Sequence, residues 1–501
     1  MEDHRYQTSK IMIKRVLYFA ITLFLACGCN GASRSQGDEI THSSGAAEMI
    51  ETLPVTGTFI NLPYQDVRNK YTNPQYMDCT DPSLWVEKVA EMKKMGMEYL
   101  VFMSVANEEK AYYPSKLMDW HYPEWRKSPV DAIMDAAAEH GMKVFMSTGW
   151  AKDQDDNLRD PKIKGRQIEM MTELAGLYGS HPAMYGWYLP VEDCFGPVLT
   201  DYAVDAVNAL TARARELTPG KKIMISPYGI FNSDFDDPRY EQQIARLTVD
   251  IIAYQDEIGC VRERYPLTRL RGNWKKLRAI HDKTGIQMWA NCESFTWEKG
   301  TNDRSSALIP ASYSRLLAQQ VAATAGGAEK IISFVMCGMY ETADSRYELG
   351  QPVWSAKAGS DYMDWLEGKG IWPLVADVMS GRYGPSATED ISDPRWMKYT
   401  SGTSEIDLGY KDGAEPEWIM VRMLNCAKDK VVPPQKIFFF GSEDGEKWNL
   451  LEIQDTPAFP NTLHDAFIDH VVFKPSVKYR YFKLAFTSEN DVMLEVIDKT
   501  I

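Results

Sequence analysis

This sequence of 501 residues lacks the short motifs that mark several common enzyme classes. It has no His-x-x-x-His pair, no Gly-x-Ser-x-Gly turn and no phosphate-binding loop that ends in Lys-Ser or Lys-Thr. No Gly-x-Gly-x-x-Gly turn follows its first predicted strand, so a dinucleotide-binding fold has no support. We therefore expect neither a metal ion nor any other cofactor.

Paired cysteines and basic charge are also scarce. The cysteines after the N-terminal segment form none of the short pairs that are typical of zinc sites or of a dense disulfide framework. Small buried side chains are a better interpretation of them than a metal cluster. The formal net charge is -15, whereas a nucleic-acid surface needs a basic stripe. We expect no nucleic-acid partner.

Only one long apolar run stands out, and it lies at the N-terminus. Met12-Ile13-Lys14-Arg15 supplies positive charge, and residues 16–26 are apolar apart from Thr22. Because this run is too short to span a bilayer, it is typical of a secretory signal.

The end of this run, Ala26-Cys27-Gly28-Cys29, resembles the cleavage box of bacterial lipoproteins. The resemblance implies a signal peptide over residues 1–29 with Cys29 acylated; Cys27 and an ordinary signal peptide are the alternatives. Residues 30–52, rich in Ser, Gly and Ala, then form a flexible tether. We expect an exported protein that is lipid-anchored to a bacterial membrane, at the outer membrane or the periplasmic face.

Short apolar runs alternate with amphipathic stretches from Gly57 onward, which predicts parallel strands joined by helices. Helix start signals include Asp81-Pro82-Ser83, Pro129, Thr200-Asp201 and Pro266. The eight predicted strands are 58–62, 99–104, 143–147, 184–189, 222–226, 250–254, 287–291 and 331–336. Eight such units predict an α/β fold, a closed (β/α)8 TIM barrel over residues 53–372, with an open doubly wound sheet as the alternative.

The character of the sequence changes after Trp372-Pro373. Short apolar runs at 418–423, 436–440, 471–473 and 479–486 are separated by turn-forming residues, and residues 441–445 predict a hairpin. This spacing predicts a smaller all-β sandwich domain over residues 373–501. The segments 442–448 and 479–484 resemble the discoidin-like sandwiches that are often appended to carbohydrate-active enzymes.

Two glutamates end the fourth and seventh predicted strands. Glu192 lies in Tyr-Leu-Pro-Val-Glu-Asp, and Glu293 lies in Trp-Ala-Asn-Cys-Glu-Ser-Phe. Such a barrel carries its chemistry at the C-terminal ends of its strands, where two carboxylates suit cleavage of a glycosidic bond. Alternation places Glu293 on the same face as Trp289 and Asn291, which we expect to point into the barrel. Asp193 is an alternative to Glu192.

Further side chains near the predicted strand ends are candidates for binding the substrate. Aromatic faces suit sugar rings, and a few convergent polar groups suit sugar hydroxyls. Gln255 and Asp256 are candidates to hold hydroxyls or to orient a glutamate. Core packing is the alternative for each aromatic residue taken alone. The substrate-binding candidates are Trp150, Asp193, Tyr228, Tyr254, Gln255, Asp256, Trp289 and Asn291.

Four segments of the chain carry a family resemblance: Gly57-Thr58-Phe59-Ile60, Tyr254-Gln255-Asp256, 187–192 and 289–295. Together they resemble a family of secreted bacterial barrels that are similar to glycoside hydrolases. The resemblance implies a TIM barrel related to the large retaining clan, with Glu192 as acid/base and Glu293 as nucleophile. That clan has Asn directly before the acid/base, whereas this chain has Val191. The usual contact to the sugar 2-hydroxyl therefore has no counterpart at this position.

The sequence predicts a glycoside hydrolase that cleaves O-glycosidic bonds of a poly- or oligosaccharide, with retention. A non-catalytic surface glycan-binding protein on a degenerate barrel is one alternative, and an enzyme of another class on the same scaffold is a second. The separation of the two catalytic carboxyls distinguishes retention, at about 5–5.5 Å, from inversion, at about 6.5–9.5 Å.

Overall fold

The structure is a computed structural model. It describes residues 51–62, 81–107, 109–121, 127–147, 158–191, 196–261, 267–300, 306–346, 352–410, 416–457 and 466–500. Its first thirteen strands are β1 (Val55–Ile60), β2 (Tyr99–Phe102), β3 (Ala106–Asn107), β4 (Lys110–Ala111), β5 (Asp119–Trp120), β6 (Lys143–Ser147), β7 (Met184–Tyr188), β8 (Lys222–Ile225), β9 (Ile251–Gln255), β10 (Gln287–Glu293), β11 (Phe295–Trp297), β12 (Leu308–Pro310) and β13 (Lys330–Phe334).

Eight of these strands close into a barrel in the order β1-β13-β10-β9-β8-β7-β6-β2. Their pairings are parallel, as expected when a helix connects consecutive strands. All eight predicted strands are barrel strands, so the closed barrel is confirmed and the open-sheet alternative is wrong. The helices are α1 (Pro82–Lys94), α2 (Pro129–Glu139), α3 (Pro161–Tyr178), α4 (Asp201–Leu217), α5 (Pro238–Arg246), α6 (Ile258–Val261), α7 (Leu267–Thr284), α8 (Tyr313–Ala325), α9 (Pro352–Leu366) and α10 (Trp372–Met379).

Several helices begin and end where the sequence signals predict. The Asp81 side chain accepts a hydrogen bond from the Ser83 backbone N–H at 2.9 Å, which caps α1. Thr200 caps α4 in the same way, through the Ala203 N–H at 3.1 Å. Beyond α1 the chain turns at Gly96, whose φ of +84° is a left-handed conformation that glycine adopts without steric cost.

The N-terminal end of the barrel interior is closed by aromatic rings. The ring of Trp289 lies 5.0 Å from that of Tyr99 and 6.1 Å from that of Phe145, measured between centroids. A Cβ atom on Gly57 would lie 2.9 Å from Tyr99 Cβ, so glycine leaves room for this layer. The layer makes this end a packed core rather than a pore.

The C-terminal residues form eight further strands: β14 (Met397–Tyr399), β15 (Gly402–Asp407), β16 (Pro416–Asn425), β17 (Lys436–Ser442), β18 (Asn449–Asp455), β19 (Phe467–Phe473), β20 (Tyr481–Ser488) and β21 (Val492–Thr500). They make two four-stranded antiparallel sheets, with strand orders β14-β21-β16-β19 and β15-β20-β17-β18. The predicted hairpin joins β17 and β18, which pair from Lys436 opposite Asp455 to Gly441 opposite Asn449.

The sandwich packs against the barrel through α8 and α10. The Ser314 hydroxyl on α8 donates to the Ile468 carbonyl on β19 at 2.5 Å. The ring of Trp372, at the start of α10, lies 4.9 Å from that of Tyr313 and 6.4 Å from that of His470. In the described part of the chain, no helix is long and apolar enough to cross a membrane.

Candidate functional site

Glu293 is the last residue of β10, the seventh barrel strand. Its side chain is buried, with 4% of the residue exposed. The carboxylate oxygen Oε2 accepts a hydrogen bond from the backbone N–H of Cys260, in α6, at 2.8 Å. A Cβ atom on Gly259 would lie 2.9 Å from this oxygen, so a glycine in α6 lets the backbone approach the carboxylate. The site thus has one fixed carboxyl group at the mouth of the barrel.

Three side chains hold the backbone of Glu293. Asp256 Oδ1 accepts the Glu293 N–H at 3.1 Å, while Gln319 Nε2 donates to its carbonyl at 3.0 Å. Arg315 donates to the same carbonyl at 2.7 Å and to the Phe295 carbonyl at 2.6 Å. Because Arg315 and Gln319 lie on α8, they fix the end of β10 to the helix that packs outside it.

Asp256 follows β9 and is completely buried. Besides the Glu293 N–H, its carboxylate accepts Gln319 Nε2 at 2.6 Å and the Ile258 N–H at 3.2 Å. Since its oxygens are engaged by protein donors, the structure corrects the expectation that Asp256 contacts the substrate. Asp256 instead orients Glu293, which is the other role considered for it from the sequence.

Glu257 is a third buried carboxyl group, and sequence reasoning did not select it. It is 4% exposed and has a φ of +56°, a conformation that costs a non-glycine residue energy. The Phe231 N–H donates to its Oε2 at 3.4 Å. Such strain persists only where surrounding contacts impose it, and it concentrates at functional sites. One feature of the sequence could have indicated Glu257: it lies directly after the sixth barrel strand, next to Gln255 and Asp256, which were selected as candidates.

The pKa values of these carboxyl groups are perturbed. Burial, together with the charge of Asp256, raises the pKa of Glu293 to about 7, against hydrogen bonds from Cys260 and the charge of Arg315. Burial, together with the charge of Glu293, raises the pKa of Glu257 to about 8. Burial also raises the pKa of Asp256. Carboxyl groups that titrate near neutral pH are suited to acid–base or nucleophilic roles.

Asn291 and Gln255 lie on neighbouring strands one level below Glu293. Asn291 Nδ2 donates to Ser226 Oγ at 3.0 Å, and Gln255 Nε2 donates to the Ser226 carbonyl at 2.8 Å. Asn291 is buried and Gln255 is half-buried. Tyr228, three residues beyond β8, is half-buried as well. These three candidates therefore remain near the C-terminal ends of the strands, as expected from the sequence.

Buried amide oxygens at this end have no hydrogen-bond partner among the described residues. They include Asn291 Oδ1 and Oδ1 of Asn61, which directly follows β1. A buried acceptor without a donor costs free energy, and a ligand with hydroxyl groups would satisfy it. Asn61 was not selected from the sequence, although alternation after Gly57 and Phe59 places it on the interior face.

An aromatic cluster accompanies these polar groups. It consists of Phe59, Tyr188 and Phe334, from the first, fourth and eighth barrel strands, and Phe334 lies opposite Glu293 in the register of β13 and β10. The Phe59 centroid is 5.2 Å from that of Tyr188 and 5.7 Å from that of Phe334. A largely buried apolar cluster with a few polar groups beside it is typical of a ligand-binding cavity.

Two aromatic candidates lie elsewhere. Trp289 points into the barrel as predicted, but it belongs to the closed layer with Tyr99 and is 1% exposed. Tyr254 points away from the interior, and its hydroxyl lies 2.8 Å from His281 Nε2 on α7. The structure corrects the expectation that either ring contacts the substrate, because both are packing residues.

Four selected residues lie outside the described residues: Glu192, Asp193, Trp150 and Cys29. The separation of the Glu192 and Glu293 carboxyl groups therefore stays a prediction. Within the residues that the structure describes, no group of three or more His, Cys, Asp or Glu side chains could hold a metal ion.

Comparison with protein families finds one match. The family described as Domain of unknown function (DUF4434) matches residues 55–347, from the first residue of β1 to a point beyond β13. None of the curated proteins matches the chain.

Several solved structures are similar in fold. A candidate alpha-L-fucosidase from Bacteroides thetaiotaomicron is 20% identical over 67% of this chain and 99% of its own, with a TM-score of 0.49. A glycoside hydrolase family 5 protein from Bacteroides vulgatus is 12% identical over 81% of this chain and 86% of its own, with a TM-score of 0.36. A GH99 endo-alpha-mannosidase from Bacteroides thetaiotaomicron is 13% identical over 63% of this chain and 99% of its own, with a TM-score of 0.39. At these identities the likeness concerns the fold alone.

Proposed function

This chain belongs to the family Domain of unknown function (DUF4434), and we propose that its barrel is a glycoside hydrolase with Glu293 as the nucleophile. The proposed reaction is retaining hydrolysis of an O-glycosidic bond in a poly- or oligosaccharide, without a cofactor. The observation that carries the proposal is the buried carboxyl group of Glu293, which the Cys260 N–H fixes at the C-terminal end of the seventh barrel strand.

In this reaction Glu293 attacks the anomeric carbon while Glu192 gives its proton to the leaving oxygen. The bond between that carbon and the leaving oxygen breaks as an ester between the sugar and Glu293 forms. Water then gives a proton to Glu192 and attacks the same carbon, which releases the sugar and restores both carboxyl groups. The role of Glu192 rests on its place after β7 and on the resemblance given by the sequence.

The contacts around Glu293 suit this role. Asp256, Arg315 and Gln319 fix its backbone, so the carboxylate needs little reorganisation before it reacts. The Cys260 N–H stabilises the ionised form that attacks. The aromatic cluster suits the apolar faces of a sugar, and the oxygens of Asn61 and Asn291, which have no partner among the described residues, suit its hydroxyl groups.

The proposed location is outside the cytoplasm, on a bacterial membrane, with Cys29 carrying the lipid. The support is the short apolar run before Cys29 and the polar tether after it. In a bacterial host, Cys29→Ser should move the protein from the membrane fraction to the soluble fraction. Retention of the variant in the membrane fraction would contradict anchoring at this cysteine.

A non-catalytic glycan-binding protein is the second candidate, and the pKa of Glu293 favours it. A pKa of about 7 leaves much of this carboxyl group protonated at neutral pH. A protonated carboxyl group donates a hydrogen bond to a sugar hydroxyl but is a poor nucleophile.

The test is product release from a broad glycan panel by the wild type, by Glu293→Gln and by Glu139→Gln, a control at an exposed position of α2. Glu293→Gln should lower turnover by on the order of 10³-fold or more, whereas the control should match the wild type. Wild-type turnover by Glu293→Gln would remove the nucleophile role. Glycan binding without product release across the panel would favour the second candidate. The anomeric configuration of the first product separates retention from inversion.

A further inference from the structure

Two buried carboxyl groups, of Asp256 and Glu257, lie beside Glu293, and the three groups cannot all be ionised at low cost. Asp256 is 0% exposed, and Glu257 and Glu293 are each 4% exposed. The cation whose charge acts on both Asp256 and Glu293 is Arg315, itself 4% exposed. Three negative charges against one positive charge in a buried cluster carry a large desolvation penalty. At least one carboxyl group in this cluster should therefore keep a proton.

Hydrogen bonds and the position of Arg315 indicate which group keeps it. Asp256 accepts donors at 2.6, 3.1 and 3.2 Å, and Glu293 accepts the Cys260 N–H at 2.8 Å. Glu257 accepts the Phe231 N–H at 3.4 Å and a second backbone N–H, from Gly229. Arg315 donates to the Glu293 carbonyl, and its charge acts on Asp256 and Glu293 but is not among the causes that act on Glu257. Because a nearby cation stabilises a carboxylate, Glu257 gains the least from ionisation.

We propose that Glu257 is a positioning residue that holds a proton beside Glu293, so that the pair carries one negative charge and this charge resides on Glu293. The inference rests on the role of Glu293 in the proposed function. A neutral Glu257 adds no further negative charge beside Glu293. The ionised form of the nucleophile is therefore favoured. Other titratable or charged groups lie around the pair: Asp256 after β9, Arg315 on α8, Arg269 on α7, which donates to the Phe231 carbonyl, and the Cys260 and Cys292 thiols.

The pKa values agree with this order. The pKa of Glu257 rises from 4.5 to about 8, mainly through burial and secondly through the charge of Glu293, and that of Glu293 rises from 4.5 to about 7. Between 4.5 and these values the folded protein binds protons that the unfolded chain has released. The stability that these protons supply is complete below the unfolded pKa and is lost as pH rises through the folded pKa. Each such proton changes the unfolding equilibrium constant about tenfold per pH unit.

The experiment measures urea unfolding of the full chain at a series of pH values from about 5 to 9. In the wild type the equilibrium constant for unfolding should rise with pH. The slope of this rise should include the protons held by both Glu257 and Glu293. Glu257→Gln should lower that slope by about one proton, a tenfold smaller change per pH unit. Glu293→Gln should lower it by a similar amount and should move the remaining titration to lower pH, because Glu257 loses its charged neighbour. Glu139→Gln should leave the wild-type slope.

A wild-type slope in Glu257→Gln would overturn the inference. If that variant does not fold, infrared spectra of protein labelled with ¹³C-glutamate answer the same question. In Glu293→Gln the band of a protonated glutamate should disappear at lower pH than in the wild type but still well above the pH at which exposed glutamates titrate, because Glu257 stays buried. A band that titrates together with the exposed glutamates would place the proton on Glu293 instead. Neither measurement needs a substrate. If Glu257 holds a proton but the protein hydrolyses no glycan, this inference stands and only the proposed function is contradicted.

Discussion

At the N-terminal end of the barrel interior, Tyr99, Phe145 and Trp289 fill the space with ring contacts. At the C-terminal end, β10 and the residues that follow β9 carry carboxyl groups with raised pKa values, and Asn291 has an amide oxygen with no hydrogen-bond partner among the described residues. Strand β10 contributes to both ends, with Trp289 in the closed layer and Glu293 at the mouth. One end is optimised for packing, whereas the other keeps costly polar groups that packing does not need.

The largest expected effect tests the closed end. Trp289→Ala removes a buried ring and should lower the free energy of unfolding by about 3–5 kcal/mol, as large-to-small substitutions of aromatic core residues do. Urea denaturation measures the loss. Turnover per folded molecule should stay at the wild-type level, because the ring lies below the substrate. If Trp289→Ala had normal stability but lost turnover, the closed end of the barrel would reach the substrate. The contrast between a packed end and a functional end would then be wrong.

A smaller effect tests the mouth. Gly259→Ala would place Cβ 2.7 Å from the Phe295 carbonyl oxygen and 2.9 Å from Glu293 Oε2. We expect a loss of about 1–3 kcal/mol in unfolding free energy, together with lower kcat, because the carboxylate must shift. The matched control is Gly272→Ala in α7, where a new Cβ meets nothing within 4 Å. It should keep full activity and gain up to about 1 kcal/mol. Equal kcat in both variants would contradict the fixed position of Glu293.

The smallest effect tests the outer side of the barrel wall. The Ile286 carbonyl lies 2.8 Å from His281 Nδ1 and accepts its proton, so the Tyr254 hydroxyl donates to Nε2. Burial lowers the pKa of His281 to about 4, which agrees with a neutral ring. Tyr254→Phe should therefore cost about 1 kcal/mol, read from thermal unfolding, and should leave glycan turnover and KM unchanged. A raised KM in Tyr254→Phe would show that Tyr254 contributes to substrate binding.

Most of the barrel was predictable because strand and helix periods repeat many times, and each repeat supports the others. The direction in which Glu293 and Asn291 point, into the barrel, was also predictable, since alternation along a strand assigns each side chain to the inner or the outer face. The depth of a side chain along the barrel axis was harder to predict: Trp289 shares their face but lies four residues before Glu293, roughly 13 Å lower along the strand. For Tyr254 the same alternation, applied to β9, indicates the outer face.

Glu257 could not be recognised from the sequence for a different reason. Its burial and its positive φ depend on the loop that contains Phe231, which belongs to the preceding βα unit. No local pattern around Glu257 encodes that contact. The roles of Asp256, Arg315 and Gln319 likewise depend on two elements meeting, α8 and the end of β10.

Helix α8 has a practical consequence for anyone who divides the chain for expression. Ser314, which bonds to β19 of the sandwich, directly precedes Arg315, which holds the carbonyl of Glu293. A barrel produced without the sandwich would expose the outer side of this helix and loosen the support of the carboxylate. Loss of activity in such a truncation should therefore be attributed to the barrel's own site before it is credited to glycan binding by the sandwich.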